Sequence, residues 1–140
     1  MEQSASVIVA GAERMMGLSE ALLKGVDAER FARFTAPGGQ PVNANHPAFI
    51  YGHLALYPAY VLTAAGEDAA EAATPASFGD LFSKGVECVD DPEGTIYPAM
   101  DEVVGVFNTT HRAVIERVKS WPDRKMAEKH TIEGPMSETF

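Results

Sequence analysis

Asn45-His46-Pro47-Ala48-Phe49-Ile50-Tyr51-Gly52-His53-Leu54-Ala55-Leu56-Tyr57-Pro58 is the stretch on which the fold reading turns. Pro47 suits the first helical position, where the N–H it lacks would be unpaired anyway, and Asn45 or His46 stands where a cap belongs. Beyond it Phe49, Ile50, His53, Tyr57, Tyr60, Val61 and Ala64 recur three and four apart, a spacing that gathers them on one helical face. The pattern predicts a helix over 47–65, stopped by Gly66 and kinked at Pro58, which cannot donate to the carbonyl of Leu54. A histidine on such a face is either a hydrogen-bonded core residue or a metal ligand.

Two further helices flank this one. Ser4 or Ser6 can cap a helix over 6–24, with Ile8, Ala12, Met15, Leu18, Leu22 and Val26 as its apolar stripe. Pro98 opens a helix over 98–120 that Pro122 ends, with Met100, Val104, Phe107, His111, Val114 or Ile115, Val118 and Trp121 as its stripe. Thr74-Pro75-Ala76-Ser77 leads into a short helical turn through Phe78, Leu81 and Phe82. The only β-branched run, Val7-Ile8-Val9, sits in a helical context. The expected class is therefore all-α, a bundle with three long helices in a single domain over 1–140. The tail over 123–140, including His130, is expected to be polar and exposed.

A net charge of −9, with eleven scattered Lys and Arg, argues against nucleic acid as a partner, because phosphate binding needs clustered cations. No run reaches the ~18 apolar residues of a membrane span, and the first residues lack the basic start and apolar core of a secretion signal. A cytoplasmic location, with no membrane partner, is the expectation. The single cysteine, Cys88, can form no internal disulfide; beside Glu87, Asp90 and Asp91 its thiolate is disfavoured.

Gly52-His53-Leu54 after an apolar turn, the helix start at Asn45 to Pro47, the element Phe78-Gly79-Asp80-Leu81-Phe82 and the stretch from Leu22 to Phe31 together resemble the DinB-like superfamily of damage-inducible and bacillithiol-transferase-like proteins. The resemblance implies a four-helix bundle that holds a divalent metal, Zn or Ni, with three histidines. His53 matches the one supplied by the second helix. The other two usually stand four apart on a fourth helix, which has no counterpart in this sequence, so the implied metal site is incomplete and the domain is expected to be C-terminally incomplete.

The implied activity is that of a metal-dependent enzyme, a thiol S-transferase or hydrolase, with a small molecule or thiol as ligand. The alternative is a noncatalytic helical binding or stress-related module. His111 is a second candidate ligand if its helix packs beside that of His53; two imidazoles need carboxylates, water or another chain to hold a metal. Tyr57, Tyr60 and Phe107 are the candidate pocket-lining residues, while His46 is expected to cap a helix or face solvent. Without a fourth helix, a groove along Met15, Leu22, Val61, Phe107 and Val114 would stay open, and a homodimer is the expected cover.

Overall fold

The computed structural model describes residues 2–128, in which helices joined by loops are the regular structure and no strand occurs among the described residues. Seven α-helices follow in order: α1 (Gln3–Leu22), α2 (Ala28–Phe31), α3 (Pro47–Ala55), α4 (Tyr57–Ala64), α5 (Ala76–Phe82), α6 (Met100–Lys119) and α7 (Asp123–Met126). The expected tail over 123–140 thus begins with a short helix; its part from 129 onward, with His130, lies outside the described residues.

The predicted helix over 47–65 is two helices in near-continuous line. They join at Leu56, whose backbone is helical, and Pro58 falls in the first turn of α4, where its missing N–H costs least. The cap of α3 is His46, whose Nδ1 accepts the N–H of Phe49 at 3.2 Å. Neither Ser4 nor Ser6 caps α1; both lie inside it. The cap comes from the far end of the chain instead. Asp123 accepts the Ser4 N–H at 3.0 Å, and the Glu2 carboxylate accepts the N–H of Asp123, so α1 and α7 cap each other. Lys125 ties α7 to the turn after α4, pairing with Glu67 at 2.6 Å, and lies over the Trp121 ring at 5.1 Å.

α6 is the helix on which α1, α3 and α4 pack, while α5 lies on α3 and α7 on α1. Its buried residues Val103, Phe107, Thr110, Ile115 and Val118 fall three to five apart. Phe107, Ile115 and Val118 match the predicted stripe; Val103 and Thr110 extend it. Toward one end it meets a small cluster of Ala5, Val9, Ile115 and Val118. Toward the other lies the main core, where Phe31, Phe49, Tyr51, Phe78, Phe82 and Tyr97 pack with Phe107.

Two predicted faces need correction. On α1 the buried residues are Ala5 and Val9, with Ala12 and Met16 partly covered, whereas Ile8, Met15, Leu18 and Leu22 are exposed. The helix carries two apolar stripes, and α6 approaches the one with smaller side chains. On α3–α4 the buried set is Ala48, Phe49, Tyr51, Gly52, Ala55, Pro58 and Leu62, and Ile50, Tyr57, Tyr60 and Val61 are substantially exposed. α3 is apolar nearly all round, so the spacing alone did not say which side its neighbours would choose.

Candidate functional site

The aromatic core positions His53 from α3 against α5. A Cβ at Gly52 would stand 2.5 Å from the ring of Phe82, so only glycine lets α5 close this far onto α3. Phe82 is the last residue of α5 and the chain turns extended at Ser83, which leaves the Phe82 carbonyl without a helical donor. His53 fills that vacancy: its Nδ1 lies 2.6 Å from the Phe82 oxygen. Since a carbonyl only accepts, Nδ1 carries the proton, and Nε2 of the neutral ring carries a lone pair. That lone pair accepts the Tyr57 hydroxyl at 3.2 Å, toward the exposed edge of the helix. The imidazole is half-buried, stacked parallel to Phe49 with centroids 6.3 Å apart and edge-on to Tyr57 at 5.2 Å.

A groove of about 390 Å³ runs between α1, α3–α4 and α6. Met15, Leu22, Val61, Phe107 and Val114, the five residues expected along an open groove, all line it, as does Tyr57. Tyr60 is not among the lining residues and is nearly half exposed. His111 also lines the groove. Its Nδ1–H donates to the carbonyl of Phe107 one turn back at 2.8 Å, and its ring lies 4.1 Å from the Phe107 ring. Burial holds the His111 pKa below the usual imidazole value, the Phe107 carbonyl opposing it only in part. The ring therefore sits neutral in the groove at neutral pH, with Nε2 as its acceptor.

His53 and His111 share a bonding pattern without sharing a site, because His53 faces Phe82 and Tyr57 and is not among the groove's lining residues. Among the described residues, no group of three His, Cys, Asp or Glu side chains could hold a metal ion.

His46 is a different case. It is 3% exposed rather than solvated, accepts at Nδ1 from Phe49 and donates from Nε2 to the Val89 carbonyl at 3.0 Å. Burial lowers its pKa, and protonation would destroy the cap, since both nitrogens would then be donors. Val89 belongs to the loop between α5 and α6. There Asp91, 4% exposed, accepts the N–H groups of Thr95, Ile96 and Tyr97 at 2.9 to 3.1 Å. Asp90 joins Arg33 at 2.9 Å and the Phe34 N–H at 2.7 Å. Burial pushes the Asp91 pKa upward, but the backbone donors together outweigh it and keep the carboxylate ionised. Cys88 is buried beside this loop, and its thiol is pushed up chiefly by that burial, with the charge of Asp90 a lesser cause.

No helix among the described residues is long and apolar enough to cross a membrane. Comparison of the chain with protein-family models, with characterised proteins and with solved structures found no match.

Proposed function

We propose that the chain is a DinB-like helical domain that contributes His53 as one ligand of a divalent-metal site, in an enzyme of the thiol S-transferase or hydrolase class. The observation that carries this reading is the 2.6 Å bond from His53 Nδ1–H to the Phe82 carbonyl. Histidines that bind metals are commonly held this way, one nitrogen donating to a backbone carbonyl so that the other presents its lone pair in a fixed direction. The Tyr57 hydroxyl, at 3.2 Å and partly exposed, is a partner that a metal could displace.

One imidazole does not hold a divalent ion, so the described residues fit such a group only in part. A metal so bound would act as a Lewis acid toward a thiol or water. His53, Phe82 and Gly52 supply the orientation of one donor, and the single buried thiol accords with a reducing, cytoplasmic setting.

The test is a Zn²⁺ titration of protein purified without an affinity tag, followed by the imidazole nitrogen resonances. The His53 Nε2 resonance is expected to respond first, and His53→Ala to abolish the response. Binding unchanged in that variant, or confined to other histidines, rejects the assignment.

The open groove favours a second reading, a noncatalytic binding module whose apolar channel takes a partner. Apolar-dye binding that is lost in Leu54→Glu, at an exposed lining residue, supports it; no binding by the native chain rejects it.

A further inference from the structure

The exposed stripe of α1 has a regular spacing. Ile8, Gly11, Met15, Leu18 and Leu22 follow one another at intervals of three, four, three and four, the repeat of a coiled-coil seam. Met15 is 62% exposed, Leu18 49% and Leu22 67%, and space stands open over Gly11. Across the groove Ile50, Leu54 and Val61 are exposed as well. With fully exposed side chains of this kind presenting ~150–200 Å² each, the seam and the opposite wall leave on the order of 600 Å² of apolar surface in water, at the upper end of the ~300–600 Å² of the largest patch on a typical monomer. A stable pairwise interface takes ~600–1,000 Å² from each partner. The patch meets the lower end of that range.

We propose that the groove and the α1 seam form one face that binds a second copy of this chain. The face can complement itself: the seam of α1 forms a ridge along one wall of the groove, with Ile50, Leu54 and Val61 on the opposite wall. A two-fold axis then lays each ridge into the other copy's groove, so that α1 and α3–α4 of both copies pack as four helices. Charge does not oppose the contact locally, for the lining residues include no Asp, Glu, Lys or Arg. The net charge of −9 repels only at longer range, where salt screens it. The dimer is therefore expected to tighten as ionic strength rises. This inference names the occupant of the groove in the second reading above and is independent of any metal at His53.

Sedimentation velocity from about 1 to 100 µM tests it, a range that brackets a dissociation constant of about 10 µM. The unaltered chain is expected to reach the dimer mass. Leu18→Glu and Leu22→Lys are each expected to weaken association at least about tenfold, since each places a charge within the apolar contact. Both positions are exposed, so the far-ultraviolet circular dichroism should be unchanged; if Leu18→Glu loses helix, Leu22→Lys carries the comparison. A monomer at the highest concentration overturns the proposal, as does a dimer that neither substitution weakens. A monomer that still binds an apolar dye in the groove removes the second copy as occupant but leaves the binding reading standing; a monomer that binds none removes both.

Discussion

Gly52→Ala sets two opposing effects against each other on a scale the structure fixes. Alanine is the better helix former by about 1 kcal/mol, and Gly52 lies inside α3, so propensity alone predicts stabilisation. The new methyl carbon, however, would sit 2.5 to 2.6 Å from three atoms of the Phe82 ring, closer than such carbons approach anything. Phe82 has little room to yield. It is fully buried, with ring centroids 5.0 Å from Phe78, 5.7 Å from Tyr97 and 6.1 Å from Phe49. Overpacking of this kind costs about 1–3 kcal/mol, and a ring hemmed in on three sides belongs at the upper end. The net expectation is a loss of about 1–2 kcal/mol, a drop of ~3–8 °C in Tm for a domain of this size.

Gly105→Ala is the matched control, a helical glycine in α6 with nothing within 4 Å of the added carbon, and it should gain about 0.5–1 kcal/mol. Urea unfolding of both variants, followed by circular dichroism, decides the matter. If Gly52→Ala proves as stable as Gly105→Ala, the close approach of α5 to α3 is refuted.

Other consequences can be checked on the same protein. Asp91→Asn keeps the shape of the side chain but turns one accepting oxygen into a donor facing backbone N–H groups, and should cost about 2–4 kcal/mol in urea unfolding; a loss under about 0.5 kcal/mol, the range of ordinary surface changes, contradicts the loop geometry. His46 and His111 both have pKa values lowered by burial, so the unfolded chain takes up their protons first. Their contribution is complete above the unfolded imidazole value of 6.5 and is lost as pH falls below it toward the folded values. Melting temperature should fall as pH drops below 6.5, and His46→Gln, which removes the titrating group, should flatten that slope. A second acid limb, from Asp91 and Asp90, lies lower: their folded pKa values are depressed below 3.8, so stability is lost as pH falls through that range.

The helices were legible because proline and glycine punctuate them: Pro47, Gly66, Pro98 and Pro122 mark ends that the structure places within about two residues of the reading. What hydropathy could not say was which apolar side of each helix is covered. On α1 the larger side chains Ile8, Met15, Leu18 and Leu22 make the stronger stripe on paper, yet α6 lies against Ala5, Val9 and Ala12. The same happens on α3, where Ala48, Gly52 and Ala55 are buried while Ile50 and Leu54 are exposed. Small residues let two backbones approach, and close approach buries more of the neighbouring helix than a large side chain can cover at a distance. Side-chain size, read together with hydropathy, separates the two stripes of α1; on α3 the large rings of Phe49 and Tyr51 share the buried face with the small residues. Asp90 gave no such clue, since its partner Arg33 lies 57 residues away along the chain, whereas Asp91 bonds backbone only four to six residues ahead.

The histidines show how far local sequence determines a donor atom. His111 is fixed by its own helix, through the carbonyl four residues back, so its Nε2 direction follows from α6 alone. His53 is fixed by a carbonyl 29 residues away, and that carbonyl is available only because α5 ends at Phe82. Phe82 in turn reaches α3 only over Gly52. Gly52, Phe82 and His53 therefore act as one unit, in which a glycine sets a helix separation, the helix end supplies an acceptor, and the acceptor selects the tautomer. Pushing α5 away with Gly52→Ala should disturb the imidazole resonances of His53 and leave those of His111 unmoved. Equal disturbance of the two would mean that His53, too, takes its orientation from its own helix, and would remove the structural basis for treating it as a presented ligand.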